Sequence, residues 1–246
     1  MHTYCLIVQY DGTDYAGFQV QPGQRTIQGE LEAALHRLGP SFIRIAGAGR
    51  TDAGVHSEGQ TVSFKDDKLT VPIERLPHAL NALLPCDIRV IGSRLEHGDF
   101  HARISARAKT YRYQIYESEF PNVFYQRYAY WIRRPLNWDR ISECGKLFLG
   151  QLDFAAFAAS GSSAKTTVRT MHEVLVDAGS PVKTIRFTAN GFLYNMVRNV
   201  VGTMVDVGLG KLSLQEVQAI LESGDRRRAS ATIAPQGLYL ERVNYS

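Results

Sequence analysis

An α+β fold is what the sequence predicts, on three observations. Stretches of period-2 and period-3.6 hydrophobicity alternate along the chain, and their order of alternation occurs twice. The 246 residues are 44% hydrophobic and 21% charged, an ordinary globular composition with enough apolar material for a sizeable core.

In the first half, Tyr4, Leu6, Val8 and Tyr10 alternate as a strand that Asp11-Gly12 ends. Ile27, Leu31, Ala34, Leu35 and Leu38 form a helical stripe, with Thr26 placed to cap it and Gly39-Pro40 to stop it. Short strands are expected near Phe42–Gly47 and Gln60–Lys65. A helix follows over Leu76–Leu84, with Pro77 tolerated in its first turn, and then a strand around Ile88 and Val90. The order is β-α-β-β-α-β, the split βαβ or ferredoxin-like arrangement.

The second half follows the same plan. Tyr111, Tyr113 and Ile115 alternate as a strand; a helix is expected near Asp139–Leu149, and strands near Met171–Asp177 and Thr184–Asn190. Val197, Val200, Val201, Met204 and Val205 form a second long stripe. Ser213 and Glu216 then make a capping box for a helix over Leu214–Leu221 that Gly224 ends. Leu238, Leu240 and Arg242 alternate in a closing strand. The expectation is two RRM-like βαββαβ halves, residues 1–108 and 109–246, each an antiparallel sheet with helices, about a central cleft. RRM sheets of this kind recognise RNA, but the arrangement hosts many functions and no RNP1-like run is present.

Charge is distributed unevenly. The net formal charge is +4 and the pI about 9.0; residues 1–108 hold 11 Lys+Arg against 12 Asp+Glu, and residues 109–246 hold 17 against 12. A basic second half suits a polyanionic partner, and an unevenly solvated surface accounts for it equally well. Cys5, Cys86 and Cys144 are odd in number, far apart and without CxxC spacing, as in a reducing compartment. His97 and His101 have no Cys or third His near them in sequence, so no metal site is expected. The N-terminus lacks the basic segment of a signal peptide, and Phe192–Leu209 contains Asn195, Arg198, Asn199 and Asp206, too polar for a bilayer span. A cytoplasmic protein without a membrane partner is the expectation.

One segment carries chemistry. Ala46-Gly47-Ala48-Gly49-Arg50-Thr51-Asp52-Ala53-Gly54-Val55-His56-Ser57-Glu58-Gly59 joins two strands that a loop of about two to five residues would serve. Its glycines permit positive φ and close backbone approach, around an arginine, a carboxylate and a histidine. A Walker phosphate loop is excluded, because GxxxxGK[ST] is absent. A surface loop capped by Asp52, and a solvated Arg50–Asp52 pair, stay open on spacing alone.

Gly49-Arg50-Thr51-Asp52-Ala53-Gly54-Val55-His56 resembles the GRTDxGVH signature of the TruA family of tRNA pseudouridine synthases. Tyr10-Asp11-Gly12 with Gly17-Phe18-Gln19 is similar to that family's opening, and Phe100-His101-Ala102-Arg103-Ile104-Ser105-Ala106 with Tyr111-Arg112-Tyr113 to its FxARxSAxxxxYxY segment. Asn195-Met196-Val197-Arg198-Asn199 and Ala234-Pro235-Gln236-Gly237-Leu238-Tyr239-Leu240 match its later motifs, in order over nearly the whole chain. Phe18 stands where Trp is frequent, and Ser57 where Gly is common.

The resemblance implies conversion of uridine to pseudouridine in the tRNA anticodon stem-loop, at family positions 38, 39 and 40, without cofactor or metal and by a homodimer. It makes Asp52 the catalytic carboxylate. Arg198 becomes its ion-pair partner, where residue type alone allows a snorkelling arginine at the edge of a stripe. Arg50 is implied to contact phosphate or fill the gap left by a flipped nucleotide. Tyr111 is implied to stack on the uracil and Leu238 to wall its other side; as residues, both are equally at home in a core. Arg133-Arg134 and Arg226-Arg227-Arg228 are solvated faces or phosphate contacts. A silent RNA-binding module would need no particular carboxylate at position 52. A glycosidase would need a second acid, for which Glu58 is the only nearby candidate.

Overall fold

Strand β1 (His2–Tyr10) lies between two antiparallel neighbours, β3 (His56–Asp66) and β4 (Ile88–Glu96). The two-residue strand β2 (Ala46–Gly47) pairs with β3 opposite Val62 and Ser63, giving the order β4-β1-β3-β2. Helices α1 (Ile27–Leu38) and α2 (Leu76–Asn81) bury Leu31, Leu35, Leu76 and Leu80 in one core with Leu6, Val8, Val62 and Ile88. Thr26 caps α1 as expected, its side chain accepting the N–H of Gly29. The computed structural model describes every residue except Met1, 40–42, Ser160, Ser162 and Ser163. The expected stop at Pro40 and the start of the strand expected at Phe42 therefore lie outside the described residues.

The chain divides into two units, Met1–Arg107 with Tyr239–Ser246, and Ala108–Leu238. The last strand, β10 (Leu238–Asn244), expected within the second half, belongs to the first unit from Tyr239 onward. It runs parallel to β3, with Tyr239 opposite His56 and Leu240 opposite Ser57. Strand β3 in turn begins at His56, four residues before the expected Gln60. A chain segment 183 residues further on (Tyr239 to His56, Leu240 to Ser57) supplies these backbone partners, so local alternation does not register them. The connection after β2 thereby shortens to residues 48–55.

In the second unit, β5 (Ala108–Glu117) pairs antiparallel with β9 (Val182–Ala189), β9 with β8 (Val168–Asp177), and β8 with β7 (Gly150–Asp153). A short β6 (Tyr130–Ile132) runs parallel to the end of β5. Neither β6 nor β7 was expected, both being too short for a period to show. Helix α3 (Trp138–Lys146) starts at the cap Asn137. Helix α4 (Met196–Gly208) buries the expected stripe, and α5 (Leu214–Ser223) carries the Ser213–Glu216 capping box and ends at Gly224 with φ +62. Both units are mixed α and β with mainly antiparallel sheets, so the fold class is as expected. Among the described residues no helix is long and apolar enough to cross a membrane. The first unit holds 12 Lys+Arg against 13 Asp+Glu and the second 16 against 11, so the positive excess lies in the second.

Candidate active site

In the first unit, residues 48–55 fold into a tethered loop. Its tip is a tight turn: the Val55 N–H donates to the Asp52 carbonyl at 3.1 Å, and Gly54 takes φ +77, which a turn of this kind requires at its third position. Asp52 is half-buried, between the buried Thr51 and the exposed Ala53. Arg50, two residues earlier, is exposed.

Buried neutral groups hold the loop from beneath. Tyr10 Oη and Thr51 Oγ1 share a hydrogen bond of 2.8 Å. Gln60 acts as a strand partner, donating from Nε2 to the Gly49 carbonyl at 2.8 Å and accepting the Gly49 N–H at Oε1 at 3.3 Å. Burial outweighs the hydrogen bonds to Tyr10 and pushes its phenol up to about 12, so the hydroxyl keeps its proton at neutral pH.

The turn after β1 presses on the same loop, backbone against backbone. A Cβ on Gly12 would lie 2.0 Å from the Val55 carbonyl oxygen, and one on Gly17, at φ +102, 2.8 Å from that of Thr51. Only glycine fits at either position. The Phe18 N–H adds a bond of 3.0 Å to the Thr51 carbonyl. His56 is buried, stacks on Tyr239 at 4.8 Å, and places Nδ1 3.1 Å from the Gly12 amide nitrogen and 3.2 Å from Asp11 Oδ1. Neutral, it accepts from Gly12; protonated, it donates to Asp11; either way it ties the loop's end to the turn.

The second unit contains Tyr111, Arg198 and Leu238. Tyr111 is buried on β5 opposite Phe187 and meets the Phe192 ring edge-to-face at 4.9 Å. Arg198, in the first turn of α4, donates from Nε to the Ile233 carbonyl at 2.8 Å and from Nη1 to Asn195 Oδ1 at 3.0 Å. Asn195 has φ +58, the one non-glycine among the described residues in the left-handed region, which its short polar side chain tolerates. Leu238, 5% exposed, follows the 3-10 turn Pro235–Gly237.

The structure corrects one group. Arg226-Arg227-Arg228 is not a uniform basic face. Arg226 turns inward to Asn199, Thr232 and two carbonyls, and Arg227 is bidentate to Asp225. Arg228, Arg133 and Arg134 are exposed. Sequence reasoning misses the tethers Tyr10, Thr51, Gln60 and Gly12 as site residues, although Tyr10, Gly12 and Thr51 stand in motifs of the resemblance; in isolation Tyr10 reads as an alternating core residue. Among the described residues no group of three or more His, Cys, Asp or Glu is placed to hold a metal ion.

A sequence profile described as tRNA pseudouridine synthase matches residues 6–105 and 145–246, taking in the Asp52 loop, α4 and the last strand. The chain belongs to the tRNA pseudouridine synthase family. Pseudouridine synthases are isomerases. Tyr111 falls between the two matched stretches, but relatives align along the whole chain. It is 45% identical to the tRNA pseudouridine synthase A of Bacillus subtilis over 100% of this chain and 99% of that one. It is 41% identical to that of Acetivibrio thermocellus over 100% of both, and 43% identical to that of Geobacillus kaustophilus over 97% and 93%. Family membership sets the glycosidase reading aside.

Proposed function

We propose that this pseudouridine synthase converts uridine to pseudouridine in the anticodon stem-loop of tRNA, with Asp52 as the nucleophile acting on a flipped-out nucleotide. The reaction breaks the N1–C1′ bond, turns the base and joins C5 to C1′. N1 gains a proton and C5 loses one, so no electrons are exchanged. Attack at C1′, addition to C6 and abstraction of the C2′ proton would all use one carboxylate in one place.

The observation that carries the reading is the setting of Asp52. It is a half-exposed carboxylate on a turn whose neighbours Thr51, Val55 and His56 are all buried and tethered. A surface loop has no need of such anchoring, whereas a nucleophile gains its rate from being held in place. Arg198 is its ion-pair partner in this proposal, keeping it ionised. Tyr111 stacks on the uracil, Leu238 walls the opposite face, and Arg50 takes a phosphate or the place of the flipped base. The enzyme acts as a cytoplasmic homodimer, which sedimentation at micromolar concentration tests.

The decisive test is Asp52→Asn. Asn matches Asp in size and leaves the Asp52–Val55 backbone turn intact, so fold and tRNA affinity should stay near normal. The carboxylate is lost, and single-turnover tritium release from uracil-labelled tRNA should fall by several orders of magnitude. Near-normal turnover would refute the assignment, and joint loss of folding and binding would make Asp52 structural. Phosphate contact is tested separately. Reversing Arg133, Arg134 and Arg228 to Glu should weaken tRNA binding and flatten its dependence on salt, since fewer counterions are released. An unchanged slope returns these residues to plain solvation.

A further inference from the structure

We infer that Arg226, acting with Asn199, is a positioning residue for Arg198; the inference rests on the role proposed above for Arg198. The segment from Ala229 to Ile233 lies along α4 as a strap. Its contact with the helix is close enough that a Cβ on Gly202 would fall 2.4 Å from the Ala231 carbonyl oxygen. The Ser230 N–H donates to Thr203 Oγ1 at 3.3 Å and the Ile233 N–H to the Arg198 carbonyl at 3.5 Å, and between these two points one guanidinium gathers the strap. Arg226 Nη1 donates to the carbonyls of Ala229 at 3.2 Å and Ser230 at 2.9 Å, while Nη2 donates to Thr232 Oγ1 at 3.1 Å and Asn199 Oδ1 at 2.9 Å. Thr232 Oγ1 closes the ring by donating to Asn199 Oδ1 at 2.6 Å.

Asn199 fixes where this assembly sits. It is wholly buried one position after Arg198, and its amide donates to the Phe157 carbonyl at 2.8 Å. The strap then delivers the Ile233 carbonyl to Arg198 Nε at 2.8 Å, and the next carbonyl, that of Ala234, accepts from Tyr113 Oη at 2.6 Å. The direction of Arg198 is thus set by Asn195 and by a carbonyl whose position Arg226 helps to fix. A lysine has one nitrogen and cannot span four acceptors in a plane, so geometry rather than charge is what position 226 supplies.

The test measures single-turnover rate and tRNA affinity for Arg226→Gln, Arg226→Lys, Arg198→Ala and the double variant Arg198→Ala with Arg226→Gln, each on protein confirmed folded by its thermal midpoint. Arg226→Gln should slow the chemical step about 10- to 100-fold with affinity within about twofold, and Arg226→Lys should not restore it. In the Arg198→Ala background Arg226→Gln should cost nothing further, because its effect runs through the missing side chain. A merely structural Arg226 would lower the midpoint and leave the rate of the folded fraction unchanged, which overturns the inference. So does an equal fold-loss in both backgrounds, or full restoration by lysine. If Arg198→Ala alone keeps a normal rate, the proposed role of Arg198 falls, and this inference with it. A slow Arg198→Ala beside a normal Arg226→Gln removes only the inference. Should Arg226→Gln fail to fold, Thr232→Val removes two bonds of the same ring with little change of shape. It should slow the step about threefold, and a normal rate there overturns the inference equally.

Discussion

The Asp52 loop of the first unit and the Arg198 turn of the second meet the same requirement, a charged side chain held still, by opposite means. Asp52 lies on eight residues with no helix or strand of their own, and its loop is fixed by neutral buried partners and by glycines that let two backbones touch. Arg198 lies in the first turn of a helix of 13 residues, and its side chain is aimed by acceptors, the Ile233 carbonyl and Asn195. A loop lacks the internal bonds of a helix and must borrow rigidity from what packs beneath it. A helix supplies its own backbone and needs only to direct the side chain. The loop should therefore be intolerant of added atoms, and the helix of lost hydrogen bonds.

Adding a methyl group on each side tests that contrast. Gly12→Ala places a Cβ on the Val55 carbonyl with no side chain able to yield. The loop must move, at a cost of about 1–3 kcal/mol in stability. A displacement approaching an ångström at Asp52 should lower the single-turnover rate about 100-fold. Gly202→Ala meets Ala231 in the same way, but the strap can lift, and alanine favours the helix by about 1 kcal/mol. A rate loss nearer 10-fold, with a smaller drop in thermal midpoint, is expected because Asn195 still holds Arg198. Equal losses in the two variants would end the distinction between loop and helix.

Tyr10→Phe subtracts an atom instead. It removes the hydroxyl from Thr51 and leaves the buried Thr51 Oγ1 without that bond, at about 1 kcal/mol. Gln60 still holds Gly49 and His56 still ties the loop's end to the turn, so the loop keeps its other buried side-chain tethers. The rate should fall less than 10-fold, with tRNA affinity unchanged. A loss as large as that of Gly12→Ala would mean that the phenol, whose proton burial retains, takes part in the chemistry itself.

These sites differ in how far the sequence discloses them. The α+β class, α1 with its Thr26 cap, and α5 with its capping box follow from local pattern, because each is decided by residues within a few positions of one another. Asp52 stood out because its loop looked too long for a hairpin, yet much of that apparent excess is strand. His56 and Ser57 pair with Tyr239 and Leu240, and nothing near them in sequence says so. Arg226 looked like one of three solvated cations, since residue type cannot tell a guanidinium in water from one spanning four acceptors. Sequence discloses which groups carry charge, but not which carbonyls and side chains, near or distant, fold round to hold them.

The smallest expected effect separates the units by pH. In the second unit, Glu117 sits at the end of β5, where its carboxylate accepts the Leu136 N–H at 2.5 Å and lies 2.9 Å from Lys183 Nζ. Burial alone would raise its pKa, but the bonds from Lys183, Leu136 and Trp138 outweigh it and hold the group below its ordinary 4.5. A carboxylate depressed on folding contributes stability that is fully present above its unfolded value and is lost as pH falls through its folded one. The junction between β5 and α3 should therefore weaken below about pH 4.5, by on the order of 1 kcal/mol. In the first unit, the bonds of Gln60 to Gly49 and of Tyr10 to Thr51 involve groups that do not titrate there. Amide hydrogen exchange reads both. After correction for the intrinsic rate, protection at Leu136 should fall between pH 5 and pH 3 while that at Gly49 stays level. Glu117→Gln keeps a carbonyl for Leu136 but cannot lose a charge, so it should flatten the Leu136 profile at a lower overall protection. A wild-type profile as flat as that of the variant would show that Lys183 contributes nothing to the anchor beyond the hydrogen bond to the backbone.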